Sequence, residues 1–175
     1  LSVWMKCELL EPGPLRIGES IVRVPAHRAN ESDEKNVAWA EKVWAMHKAG
    51  RDAELPWKGM ELTTEVARAL RIIELKDGPD HFNLSVGGFA IGRAIAFFGF
   101  PGEPFTDIGR DIKKRSPFRM TILSCLVNGS EGYFPVAASY REDGYEAASS
   151  RFGESVAEDL VNGGLEMLRA LHQAK

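Results

Sequence analysis

The stretch FFGFPGEPFTDIGRDIKKRSPF, residues 97–118, decides the fold, because an apolar run passes there into an amphipathic segment. The run that ends at Phe100 predicts a buried strand, and Pro101-Gly102-Glu103 ends it. Residues 104–115 predict a short amphipathic helix, and residues 120–127 predict a second strand. Strand, helix and strand within about thirty residues is the length of one βαβ unit. Its two strands are therefore expected to lie parallel, with a right-handed crossover.

The sequence before this unit predicts further strands and helices. Residues 1–10 and 15–25 flank the turn signal EPGP and predict an antiparallel pair. Residues 30–50 predict a helix that Asn30 or Ser32 can cap and that Gly50 ends. Residues 62–78 begin as a helix, but their β-branched end could form a strand.

Residues 82–92 and 93–100 predict two strands joined by a short turn, and residues 154–173 predict a closing helix. Gly163-Gly164 within that helix predicts either a bend or close packing against a neighbour. The fold class that follows is mixed α/β: a mixed sheet that contains the βαβ unit and is flanked by helices. At 175 residues the chain has the size of a single domain.

Composition excludes some classes of function. A net charge of −3 gives no electrostatic argument for binding nucleic acid. The longest apolar run, residues 94–100, is too short to cross a bilayer. Cys7 and Cys125 lie in apolar, strand-like stretches, which predicts buried free thiols, with one disulfide as the alternative. The chain begins with Leu rather than Met, which indicates a processed product or a piece of a longer protein.

A polar site is expected at the carboxyl ends of the two parallel strands, where ligands bind in such sheets. One end delivers Glu103, and the other delivers Asn128-Gly129 and then Tyr133. If the strands are neighbours, Glu103 and Tyr133 leave the same edge of the sheet. From the residues alone, Glu103 could equally be a favourable acid at a helix start, and Tyr133 a core-edge aromatic. The four histidines are expected to be structural or solvated.

Residues 91–150 resemble the neutral/alkaline, non-lysosomal ceramidase family, most closely its shorter bacterial members. The resemblance rests on motifs in order: Pro-Gly-Glu at a strand end, an amphipathic helix, an Asn-Gly turn, the Gly-Tyr of EGYFP, and the Gly-Tyr-Glu of DGYEAASS. It implies a zinc-dependent amidase that cleaves the N-acyl bond of ceramide to give sphingosine and a fatty acid. It also implies a secreted or periplasmic location.

The resemblance also implies roles for three residues. The family holds its metal with two histidines, a glutamate and a tyrosine; the glutamate corresponds to Glu103 and the tyrosine to Tyr133. A second tyrosine, close to the reacting carbonyl, corresponds to Tyr145, which is therefore both catalytic and substrate-binding. An open position on Zn²⁺ can activate water, and a phenol can stabilise an oxyanion.

The sequence departs from the family pattern in its upstream motifs. The family's two histidine ligands and its Gly-Asp-x-Ser-Pro motif are not found, and Ser116-Pro117 is not that motif. The chain is therefore expected to be the C-terminal portion of a larger catalytic domain. Its partners would be the N-terminal remainder of that domain, which supplies the histidines for a shared Zn²⁺, and a lipid amide or other small amide substrate. Alone it should bind zinc weakly or not at all and should be inactive. The alternatives are a hydrolase of another amide or ester, and a non-catalytic binding or assembly domain.

Overall fold

A computed structural model describes residues 2, 4–11, 13–28, 34–142 and 144–174. Short 3-10 turns occur at Trp4–Lys6 and Asp52–Glu54. The described helices and strands, in chain order, are β1 (Leu15–Pro25), α1 (Glu34–Lys48), α2 (Gly59–Leu75), β2 (His81–Ile91), β3 (Ile95–Gly99), β4 (Glu103–Pro104), α3 (Thr106–Arg115), β5 (Met120–Ser124), β6 (Tyr133–Phe134), α4 (Ser139–Glu142), α5 (Tyr145–Ser149) and α6 (Val156–Gln173).

The main sheet has four strands in the order β1-β2-β3-β5. β1 with β2 and β2 with β3 pair antiparallel, whereas β3 and β5 pair parallel from Ile95 opposite Met120 to Gly99 opposite Ser124. Helix α3 connects the two parallel strands. The predicted mixed α/β class and the βαβ unit are therefore confirmed.

The principal core lies between one face of this sheet and α6. The apolar residues of α6 recur at helical spacing, so that one side of the helix is buried along its whole length. They pack with the strand residues that point to the same side, since strand side chains alternate between faces. This core includes Val22, Val24, Leu84, Val86, Ala96, Phe98, Leu160, Leu165 and Leu168.

Gly163 and Gly164 let α6 approach the sheet closely. A Cβ atom at position 163 would lie 2.5 Å from Val22 Cγ2, and one at position 164 would lie 2.8 Å from Phe98 Cζ. These distances are shorter than van der Waals contact. Of the two predicted roles for the glycine pair, the structure shows the close packing.

A second apolar cluster holds α1 against α2. Its buried members are Ala40, Val43, Leu55, Val66, Ala69 and Ile72, and Trp39 and Trp57 meet edge to face at its border, with ring centroids 6.1 Å apart. Helix α2 also contacts α5, so this helical pair is attached to the segment that carries Tyr145.

Two expectations from the sequence are wrong, and the structure decides one alternative that the sequence left open. The described part of residues 1–10 forms a 3-10 turn and irregular chain, and β1 pairs along its whole length with β2 instead. That segment gains little burial, with Met5 80% and Leu9 102% exposed. The end of residues 62–78 is not a strand: it stays helical to Leu75, because burial against α1 outweighs the strand propensity of its β-branched residues. Cys7 and Cys125 are exposed rather than buried.

The predicted caps of the first helix, Asn30 and Ser32, lie outside the described residues. Gly50, with φ +69°, follows α1 as expected. Within the described ranges, no helix is long and apolar enough to cross a membrane.

The contact between α6 and the sheet gives a first testable prediction. We expect Gly164→Ala to destabilise the protein by about 1–3 kcal/mol, because the new methyl group meets Phe98 in a packed core. This outcome is opposite in sign to the gain of about 1 kcal/mol that Gly to Ala gives in an exposed helix. Urea unfolding measures the change. Glu166→Ala, at an exposed position of the same helix, should change stability by less than about 0.5 kcal/mol; a stabilised Gly164→Ala variant would contradict the packing.

Candidate functional site

The candidate site lies beyond the carboxyl ends of β3 and β5. Because these neighbours are parallel, both chains leave the sheet at the same edge. The chain after β5 turns back at Leu126 and Asn128, which have φ +55° and +60°. In this turn the Leu126 N–H donates to Gly102 O at 3.0 Å and the Val127 N–H donates to Phe100 O at 2.8 Å. The two exits are thus held together by backbone hydrogen bonds.

Pro101-Gly102 lets the two exits meet closely. A Cβ atom at position 102 would lie 2.5 Å from Gly132 O and 2.7 Å from Phe134 Cζ. Only glycine fits this approach without moving backbone. It places β4 beside β6 in a second, two-stranded parallel sheet, in which the Glu103 N–H donates to Gly132 O at 2.9 Å.

Glu103 and Tyr133 are direct register partners in this small sheet. Both side chains are half-buried. The ring of Tyr145, the first residue of α5, meets the ring of Tyr133 edge to face, with centroids 5.9 Å apart. The structure therefore brings together a carboxylate and two phenols that lie up to 42 positions apart in the sequence.

The electrostatic environment of Tyr133 is negative. Desolvation, followed by the negative charge of Glu103 and then contributions from Tyr145 and Glu146, raises the pKa of Tyr133 above its usual value. A cation placed here would be favoured by the same charges that disfavour the phenolate. Among the described residues, no group of three or more His, Cys, Asp and Glu side chains could hold a metal ion. The oxygens of Glu103 and Tyr133 thus offer two donors, fewer than the three protein ligands typical of a catalytic zinc site.

A buried hydrogen-bond network lies behind Tyr133 and was not predicted from the sequence. Ser150 is 2% exposed, and its hydroxyl donates to the backbone carbonyl oxygen of Tyr133 at 3.0 Å. The Tyr140 hydroxyl donates to Phe152 O at 2.8 Å, and its ring meets His27 edge to face. Burial raises the pKa of Tyr140 to about 12, so this hydroxyl remains a donor.

Arg71 joins this network from α2. Its Nη1 lies 3.0 Å from His27 Nδ1 and also donates to Ala147 O of α5 at 3.4 Å. Because a guanidinium only donates, Nδ1 is the acceptor in this contact. The same nitrogen also lies 3.3 Å from the backbone oxygen of Ser150, which it can meet only as a donor. Burial, and then the positive charge of Arg71, lower the pKa of His27 to about 4. His27 is thus neutral and structural, and the network ties α2 to the helix that begins with Tyr145.

The structure is similar to part of a solved ceramidase. The crystal structure of neutral ceramidase from Pseudomonas aeruginosa aligns with 92% of the chain, at a TM-score of 0.56 and 14% sequence identity. The chain therefore shares its fold with part of that ceramidase. The chain spans 29% of the length of that ceramidase. A ceramidase solved in complex with C2 aligns with 54% of this chain and 15% of its own, at a TM-score of 0.47 and 20% identity.

No protein-family model matches the sequence, and no curated protein matches it significantly. The structural alignment confirms the resemblance of residues 91–150 to ceramidases as a similarity of fold. The roles of Glu103 and Tyr133 as metal ligands, and of Tyr145 as a catalytic and substrate-binding residue, stay predictions.

The buried histidine gives a prediction for acid stability. The pKa of His27 is about 4 in the fold and 6.5 when unfolded, so the unfolded chain binds the extra proton first. We expect the free energy of unfolding to be unaffected by His27 above pH 6.5 and to fall as the pH drops from there to about 4. Urea unfolding across this range measures the slope.

His27→Gln is the matched variant, because an amide oxygen can still accept from Arg71 but does not titrate in this range. It should flatten the acid slope relative to the unmodified protein. An identical slope in both proteins would show that His27 does not carry the effect.

Proposed function

We propose that this chain is the C-terminal portion of a zinc-dependent amidohydrolase that cleaves the N-acyl amide bond of ceramide or a related lipid amide. Glu103 and Tyr133 are two of its metal ligands, and Tyr145 acts on the reacting carbonyl. The remaining ligands are histidines outside these residues, in the N-terminal remainder of the catalytic domain.

One observation carries the proposal: Glu103 and Tyr133 are register partners at the carboxyl edge of two parallel strands, with Tyr145 against Tyr133. The sequence motifs that suggested these residues lie in separate segments, and nothing local to each segment requires them to meet. The ceramidase-like fold supports the proposal further, since the alignment covers almost the whole chain.

The residues present fit part of a zinc site. A carboxylate oxygen and a phenol oxygen are donors that Zn²⁺ accepts, and the negative charge around Tyr133 favours a cation. When bound, zinc supplies a Lewis acid and lowers the pKa of water. Glu103 and Tyr133 would hold it, and a neighbouring divalent charge would lower the pKa that burial and Glu103 raise in Tyr133.

Tyr145 has a separate role in the proposed reaction. Its phenol hydroxyl donates a hydrogen bond to the oxyanion that develops on the amide carbonyl, which favours the transition state over the planar amide. Tyr145 is the first residue of α5. Arg71 of α2 donates a hydrogen bond to Ala147 O in that helix and so helps to fix its position. In this proposal the chain supplies two of the oxygen ligands of the cation and one hydrogen-bond donor to the substrate.

The ligand role of Glu103 is tested by zinc binding. In the protein that contains this chain and the proposed histidines, Glu103→Gln should abolish zinc retention after dialysis, because the amide lacks the anionic oxygen. Metal analysis measures the zinc stoichiometry. In the unmodified protein, added zinc should lower the pKa of Tyr133, which is measured as an increase in phenolate absorbance. Tyr133→Phe should not show that increase. Glu142→Gln, an exposed acid of α4, is the control; unchanged zinc in Glu103→Gln would refute the ligand role.

The role of Tyr145 is tested by turnover. With zinc-loaded protein, we expect release of fatty acid from N-acylsphingosine, slowed about 10²–10³-fold in Tyr145→Phe by loss of the oxyanion donor. Zinc content should stay unchanged in that variant, which separates catalysis from metal binding. Other linear amides and esters are assayed in parallel. If the folded, zinc-loaded protein turns over only those compounds, the substrate assignment changes to that class. If it turns over none of them, the proposed hydrolase activity is refuted.

A further inference from the structure

The face of the four-stranded sheet that points away from α6, here called the outer face, carries two complete apolar rows. Each row crosses the sheet through register partners, one from every strand. One row is Ile17, Phe89, Phe97 and Ile122, and the other is Leu15, Ile91, Ile95 and Met120.

These side chains are exposed to an extent that is unusual for a core-type pattern. Ile17 is 78% exposed, Leu15 63% and Met120 53%, while Phe89 and Phe97 are half-buried by stacking on each other, with ring centroids 4.4 Å apart. Scattered apolar residues are normal on a protein surface, but a contiguous patch marks an interaction site. The eight positions adjoin one another without a charged residue between them.

The central strand β3 shows which kind of cover this face fits. Ala96 and Phe98 point to the core under α6, and Ile95 and Phe97 point to the outer face. A strand that is apolar on both faces is typical of a sheet covered on both sides. The sheet therefore has the pattern of a middle layer, with α6 on one side and a second apolar layer on the other.

The neighbouring row gives this face its shape. Glu19, Gly87, Gly99 and Ser124 pair across the strands beside the Phe89–Phe97 stack. With no side chain at Gly87, a groove of about 370 Å³ opens there and extends to Val127 and Asn128. Side chains from an opposing layer can enter it.

The groove also leads toward the candidate site. Its lining reaches Gly99 and Asn128, at the carboxyl ends of β3 and β5. Glu103 follows Gly99 by four positions, about 13 Å of extended chain at most. A layer of polypeptide packed on the outer face would therefore lie beside the edge that carries Glu103 and Tyr133.

We propose that the outer face is an intramolecular interface, covered by an apolar layer from the part of the same polypeptide that lies outside these residues. The comparison favours this occupant over a second copy, because the solved ceramidase holds the equivalent fold within a chain of which these residues span 29%. The interface does not depend on zinc or on the proposed hydrolysis, since it concerns only the burial of the two rows.

Thiol labelling tests the interface in the polypeptide encoded by the complete reading frame, with Cys7→Ser and Cys125→Ser as background. Ile17→Cys places the probe in the first row, and Lys113→Cys, at an exposed position of α3, is the control. In the folded protein a water-soluble maleimide should modify position 17 at least about 100-fold more slowly than in denaturant, because access needs local opening. Position 113 should react as an exposed thiol. Met120→Cys repeats the test in the second row if Ile17→Cys fails to fold.

Sedimentation and vesicles separate the other occupants. Protection at position 17 in a monomer supports the proposal. Protection that disappears when a dimer is diluted would overturn it in favour of a second copy. Rapid labelling that only phosphatidylcholine vesicles suppress would overturn it in favour of a lipid surface. Rapid labelling in the folded monomer under all conditions, or a reading frame that encodes no further residues, would overturn it outright.

Discussion

The parallel pairing of β3 with β5 is the constraint on which the rest of the site depends. Parallel strands need a crossover, and α3 supplies it, so both strands end at the same edge of the sheet. From that edge Gly102 and the left-handed turn at Asn128 bring the two chains back into contact. An antiparallel β3–β5 pair would place Glu103 and Tyr133 at opposite ends of the sheet. Glu103 and Tyr133 are thus register partners because of the strand direction.

Local patterns in the sequence predicted the parts of the fold that short segments determine. The apolar run to Phe100, the amphipathic residues after it and the next apolar run predict the order of the βαβ unit, from which the shared edge of Glu103 and Tyr133 follows. The bounds differ: Pro104 belongs to β4 and not to the helix, and β5 ends at Ser124 and not at Val127. The strand predicted over residues 1–10 was wrong, because an apolar composition beside a turn signal also fits an exposed irregular segment. Cys7 and Cys125 were misplaced for the same reason: composition reports hydrophobicity, whereas burial depends on which partner covers a segment.

The network of His27, Arg71, Tyr140 and Ser150 could not have been predicted, because its members come from four separate segments. They follow β1, lie on α2 and α4, and follow α5, and only tertiary packing brings them together. An arginine in an amphipathic helix is ordinarily expected at the surface. The one available signal is weak: Arg71 precedes Leu75 by one helical turn, which places it on the side of α2 that is buried.

The long separations that the fold joins also set the order in which its parts can form. β1 and β2 are far apart in the sequence: Pro25 pairs with His81, and Leu15 pairs with Ile91. Pairing distant segments requires closing a long loop, and the conformational entropy of that loop is lost before the contacts stabilise the pair. The two-residue strands β4 and β6 are too short to pair on their own and need β3 and β5 in place first. The juxtaposition of Glu103 and Tyr133 is therefore a property of the assembled sheet, and neither segment holds it alone.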